Sequence, residues 1–89
     1  MFLSYSVVTD KPFLKKLNKL KRNNPQIFDR LFDKMKEIAE NPTHHKPLSN
    51  VLKGKRRAHV GSFVVIFSID EKEKAVVFLE FEHHDKAYR

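Results

Sequence analysis

Arg57 and His59 stand two residues apart in the run from Lys53 to Val60, and residues two apart in an extended chain share a face. Arg56, Ala58 and Val60 then share the opposite face. One side of such a strand can pack while the other presents a guanidinium and an imidazole. A second set of titratable groups closes the sequence, with His83, His84, Asp85, Lys86, Tyr88 and Arg89. If that segment ends beside the basic strand, Arg57, His59, His83 or His84, and Tyr88 collect in one small region. Imidazoles exchange protons near neutral pH, a guanidinium holds phosphate oxygens in a fork, and a phenol orients a nucleotide or stacks on a base. RNA transesterification needs these parts: a base for the 2′-hydroxyl, an acid for the leaving oxygen and a cation for the charged phosphorane. The same residues also read as polar surface groups at strand ends.

The surrounding elements decide whether the groups meet. After the turn residue Gly61, the run from Phe63 to Ile69 is β-branched or aromatic and apolar on both faces, which predicts a central strand covered on both sides. Phe2 to Val8 reads as a first strand. Thr9 or Asp10 can cap a helix from about Pro12 to Arg22, in which Phe13, Leu14, Leu17 and Leu20 recur at helical spacing. Asn23, Asn24 and Pro25 give a break, a cap and a first helical residue. The second helix carries Ile27, Phe28, Leu31, Phe32, Met35, Ile38 and Ala39 and ends before Asn41-Pro42. So short a loop makes the two helices an antiparallel hairpin.

Asp70 to Lys74 is a short polar connection, and Ala75 to Glu82 returns as a strand. Strict alternation there puts Val77, Leu79, Phe81 and His83 on one face, and Val76, Phe78, Glu80 and Glu82 on the other. The expectation is one α+β domain over 1–89: an N-terminal strand, a helical hairpin, then a three-stranded antiparallel meander packed on the helices.

Composition narrows the chemistry. With 89 residues and no Cys, the chain holds neither a disulfide framework nor a zinc-thiolate site, and a reducing cytoplasm fits best. No apolar run approaches the ~20 residues of a membrane span, and the start lacks the basic region of a signal peptide. His44 and His45 lie in a loop without a third ligand at metal-like spacing, so neither a metal nor another cofactor is expected. The net charge is +7, and the excess is segregated. Lys11 to Arg22 holds six cations and no acid; Lys53 to Arg57 holds four and none. Segregated positive charge suits a polyanion, most often nucleic acid.

The succession LKGKRRAHVGSFVVIFSID followed by VVFLEFEHHDKAYR resembles the RelE/ParE superfamily of toxins from toxin-antitoxin pairs, across the whole chain. The resemblance implies the RelE-like α+β fold and a type II toxin neutralised by an acidic, RelB-like antitoxin, with operator DNA reached through that antitoxin. RelE-like members cleave messenger RNA on the ribosome without a metal, whereas ParE-like members poison gyrase. An inactive, antitoxin-binding member is a further alternative. Many RelE-like toxins carry arginines where this chain has Val64 and His84. The pair His59-Val60 with a late histidine is instead similar to the YafQ-like branch. By that resemblance His59 and His84 or His83 are acid and base, Arg57 stabilises the phosphate and Tyr88 positions substrate. Lys53, Lys55 and Arg56 would hold RNA backbone, with Lys15 and Lys19 meeting ribosomal RNA.

Overall fold

A computed structural model describes residues 5–42 and 54–84. The elements follow in the order β1 (Ser6–Thr9), α1 (Lys11–Asn23), α2 (Pro25–Glu40), β2 (Arg56–Val60), β3 (Phe63–Asp70) and β4 (Ala75–His83). His44, His45, Lys53 and Tyr88, together with the expected strand residues Phe2 to Ser4, lie outside the described residues.

The helix starts arise from local chemistry. The Asp10 side chain accepts from the Phe13 amide at 2.9 Å, and Pro12 occupies the first turn, where its missing donor costs nothing. Asn24 repeats the device for α2, accepting from the Ile27 amide at 3.3 Å directly before Pro25. Phe13 of α1 and Leu31, Met35 and Ile38 of α2 are buried. They meet Ala58, Val60, Val65, Phe67, Val76, Phe78 and Phe81 of the sheet in one core. The helical hairpin therefore covers one face of the sheet.

The sheet order is β1-β4-β3-β2. The three C-terminal strands form the expected antiparallel meander, and β1 joins its far edge parallel to β4, from Ser6 opposite Ala75 to Thr9 opposite Phe78. The sheet is thus four-stranded and mixed. The helical hairpin carries the chain from β1 to β2, the long crossover that two strands of the same direction need, and β4 runs the same way as β2, so it meets β1 in parallel. Val64, Val65, Ile66 and Phe67 at the middle of β3 are all buried, as expected of a strand covered on both faces.

One expectation fails in β4. A register shift near Ile66 and Phe67 pairs Ile66 with Glu80 and Phe67 with Phe78, so Leu79 is the extra residue of a bulge. Alternation restarts beyond it. Phe81 joins Val76 and Phe78 in the helix-facing core instead of Val77 and Leu79. Glu80 and Glu82 consequently leave the core face and stand in register with Ile66 and Val64, with the Glu82 carboxylate reaching Lys16 of α1.

A small polar cluster fixes the start of β1. The Tyr5 hydroxyl donates to Glu71 Oε1 at 2.7 Å, and Lys74 Nζ lies 3.3 Å from the same oxygen. The Tyr5 hydroxyl first, and the Lys74 ammonium after it, hold the Glu71 carboxyl below its ordinary range. A depressed carboxyl contributes stability above its unfolded-state pKa and loses that contribution as pH falls through the folded value.

Candidate functional site

Ala58 and Val60 bury into the helix-facing core, which turns Arg57 and His59 to the other face of β2. There Arg57 stands opposite Ile66 and His59 opposite Val64. Val64 and Ile66 are closed off from solvent, whereas His59 is exposed and Arg57 half-buried. The cation and the imidazole therefore flank a dry apolar floor. Val64 supplies no charge to this face, so the guanidinium in described residues nearest in register is that of Arg57, on the neighbouring strand.

The end of β4 completes the group. The His84 amide donates to the Ser62 carbonyl at 2.8 Å, which pins the chain against the β2–β3 turn. The His59 and His84 rings then lie 6.1 Å apart between centroids, tilted by 31°. His83 points elsewhere: its ring meets the edge of Phe63 at 5.4 Å, among the side chains that face the helices. Of the two candidate histidines, His84 is thus the one beside His59. Two imidazoles at this spacing can both reach one small group placed at their edges.

The other cationic candidates separate by layer. Arg56 alternates to the side opposite Arg57, and its charge is among those that lower the Glu71 carboxyl, at the far end of the sheet. Lys55 is half-buried immediately before it. Lys15 and Lys19 are exposed on α1, in the helical layer, with the sheet between them and the histidine pair. The bulge moves Glu80 and Glu82 off the face of Val76 and Phe78, where strict alternation placed them, and the Glu82 carboxylate pairs with Lys16 of α1. Phe81 moves the opposite way, into the core, and since Val77, Leu79 and Phe81 keep an unbroken spacing of two, the sequence carries no sign of the extra residue.

Gly61 sets the turn that carries Ser62. Its φ of +60° lies in the left-handed region, and an added Cβ would sit 3.2 Å from an Arg30 guanidinium nitrogen. Gly61→Ala should therefore cost about 1–2 kcal/mol, mostly from backbone strain, since Arg30 can swing aside. Urea unfolding measures it, and an unchanged midpoint would show that the turn tolerates a side chain.

Among the described residues no three His, Asp or Glu side chains converge as a metal site would require, and no helix is long and apolar enough to cross a membrane.

Comparison with known proteins places this arrangement. Residues 7–88 match the family described as the ParE toxin of type II toxin-antitoxin system, parDE. A curated relative from Methanocaldococcus jannaschii, named "Putative toxin RelE4", is 40% identical over 74 residues, covering 82% of this chain and 79% of the relative. Among solved structures, the toxin-antitoxin complex RelBE2 from Mycobacterium tuberculosis aligns with a TM-score of 0.78 at 25% identity, over 91% of this chain and 99% of that one. The archaeal RelE-RelB complex from Pyrococcus horikoshii OT3 aligns with a TM-score of 0.73 at 21% identity, over 96% and 100%. With its whole described architecture and most of its length matched, this chain belongs to the RelE/ParE superfamily of toxins of type II toxin-antitoxin systems.

Proposed function

We propose that this toxin is an endoribonuclease that cleaves messenger RNA on the ribosome by 2′-hydroxyl transesterification and is neutralised by an acidic antitoxin. The observation that carries the reading is the His59–His84 pair, two imidazoles 6.1 Å apart on the sheet face that also bears Arg57. One imidazole takes the proton of the 2′-hydroxyl as its oxygen attacks the adjacent phosphorus. The other gives a proton to the departing 5′-oxygen, so a 2′,3′-cyclic phosphate and a free 5′-hydroxyl result. Arg57 meets the negative charge that builds on the non-bridging oxygens. Tyr88 positions the nucleotide, Lys53, Lys55 and Arg56 hold the RNA backbone, and Lys15 and Lys19 meet ribosomal RNA. None of these steps calls on a metal.

The antitoxin reading is supported by charge and by likeness. Six cations without an acid along α1 suit an acidic partner, and both solved relatives described above are toxin-antitoxin complexes.

A second reading has its own support, because the matched family is described as ParE. In a gyrase poison the same basic surface binds a protein. The deciding experiment expresses the chain alone, then maps cuts in ribosome-bound messenger RNA with toxin previously dialysed against a chelator. Growth arrest with metal-insensitive cuts ending in 2′,3′-cyclic phosphate is expected. Growth arrest with intact RNA and inhibited gyrase would establish the second reading, and cleavage recovered only on returning a metal to the toxin would overturn the mechanism.

A further inference from the structure

Among the described residues one corner of the sheet is unpaired. β1 pairs with β4 only from Ala75 to Phe78, so among the described residues nothing pairs with the rest of β4 on that side. Between this end of β4 and the second half of α1 lies a cavity of about 270 Å³. Leu20, Phe63 and Phe81 form its floor, and Lys16, Lys19, Asn23 and Glu82 its rim. Lys16 Nζ donates to the Phe81 carbonyl at 2.8 Å and also pairs with the Glu82 carboxylate. An edge carbonyl and an acid that would repel an anionic visitor are thus both already engaged by one lysine.

We propose that this cavity receives one apolar side chain of an acidic peptide segment, which makes it an anchor point for the antitoxin invoked above; the inference rests on that reading. Three features select this occupant. The floor is hydrocarbon, and an apolar side chain gains by leaving water there. The rim carries Lys16 and Lys19 against Glu82, which Lys16 pairs, and it continues along the Lys-rich face of α1, so acidic residues flanking the anchor find complementary charge. A nucleobase is the poorer fit, because stacking needs a free ring face. Here the Phe63 and Phe81 rings are already stacked at 4.9 Å, Phe81 is buried, and the His83 ring abuts Phe63. A partner held here would touch both the helical layer and the end of β4, one residue before His84. Its grip would bear on the strand end that carries the histidine.

The test uses the intact chain and two acidic twelve-residue peptides, identical except for a central Leu in one and Ser in the other, with a single-stranded RNA dodecamer as a third probe. Binding is followed by nuclear magnetic resonance of the Leu20 methyls and the Phe63 ring. The Leu peptide should shift these signals at about tenfold lower concentration than the Ser peptide, as expected for burying one Leu side chain. Asn23→Trp, which fills the mouth of the cavity, should abolish the difference, and Asn23→Ala should keep it, with thermal unfolding confirming that both variants fold. Equal response to the two peptides, no response to either at millimolar concentration, or a stronger response to RNA would each overturn the proposal. Because this assay reads neither growth nor cleavage, failure of the ribonuclease reading leaves its outcome intact, and failure here leaves the histidine chemistry intact.

Discussion

If the proposed mechanism holds, replacing His59 or His84 with Ala should lower the single-turnover rate of messenger RNA cleavage on ribosomes by about 10²–10⁴-fold, the usual contribution of a positioned general acid or base. The two rings lie 6.1 Å apart, so on the proposed mechanism each removal would leave the reacting phosphate with one proton-transfer partner. The double variant should therefore lose much less than the product of the single losses, since residues acting as a unit are not additive. His83→Ala serves as the internal control. Its ring packs on Phe63 on the opposite side of the strand, and its replacement should leave the rate within a few-fold of the wild type. Arg57→Ala should also slow cleavage, but by weakening charge stabilisation, so the shape of its rate-pH profile should stay as in the wild type while the histidine variants change theirs. The measurement is rate against pH at saturating toxin, with ribosome affinity determined in parallel. Wild-type rates and profiles in both histidine variants would reduce the pair to surface groups.

The largest stability effect is expected at Phe78. Its ring is fully enclosed, 6.0 Å from the Phe13 ring of α1 and 6.0 Å from the Phe67 ring of β3, so it joins the helical hairpin to the sheet. Phe78→Ala should cost about 3–5 kcal/mol through lost burial and the cavity left behind. That is a large share of the about 5–15 kcal/mol that holds a typical domain folded. For a chain of this size each kcal/mol moves the melting temperature by about 4–8 °C, so a fall of at least 12 °C is expected. Calorimetry of the free toxin measures it. A fall of only a few degrees would mean that the hairpin is held chiefly by other contacts. Phe32→Ala is the matching control: its ring is 45% exposed on α2, and its loss should stay well below that of Phe78.

The amino-acid sequence by itself determined the elements and their order, because each rests on local chemistry. Asp10 and Asn24 cap the helices ahead of Pro12 and Pro25, apolar residues at 3.6-residue spacing mark the faces of α1 and α2, and unbroken apolar character marks β3 as central. It also put Arg57 and His59 on one face, since alternation within a five-residue strand depends on nothing distant. Three matters were left to the tertiary structure. β1 pairs parallel with β4, the last strand of the chain, a long-range pairing that no local signal carries. The bulge at Leu79 reversed alternation in the second half of β4, because the core could take Phe78 and Phe81 together only if the strand spent one extra residue between them. That reversal, with the His84 amide bound to the Ser62 carbonyl, decided which of two adjacent histidines faces His59. Two neighbouring residues in a strand point to opposite sides, so a one-residue shift in register exchanges them, and only packing across the sheet fixes that register.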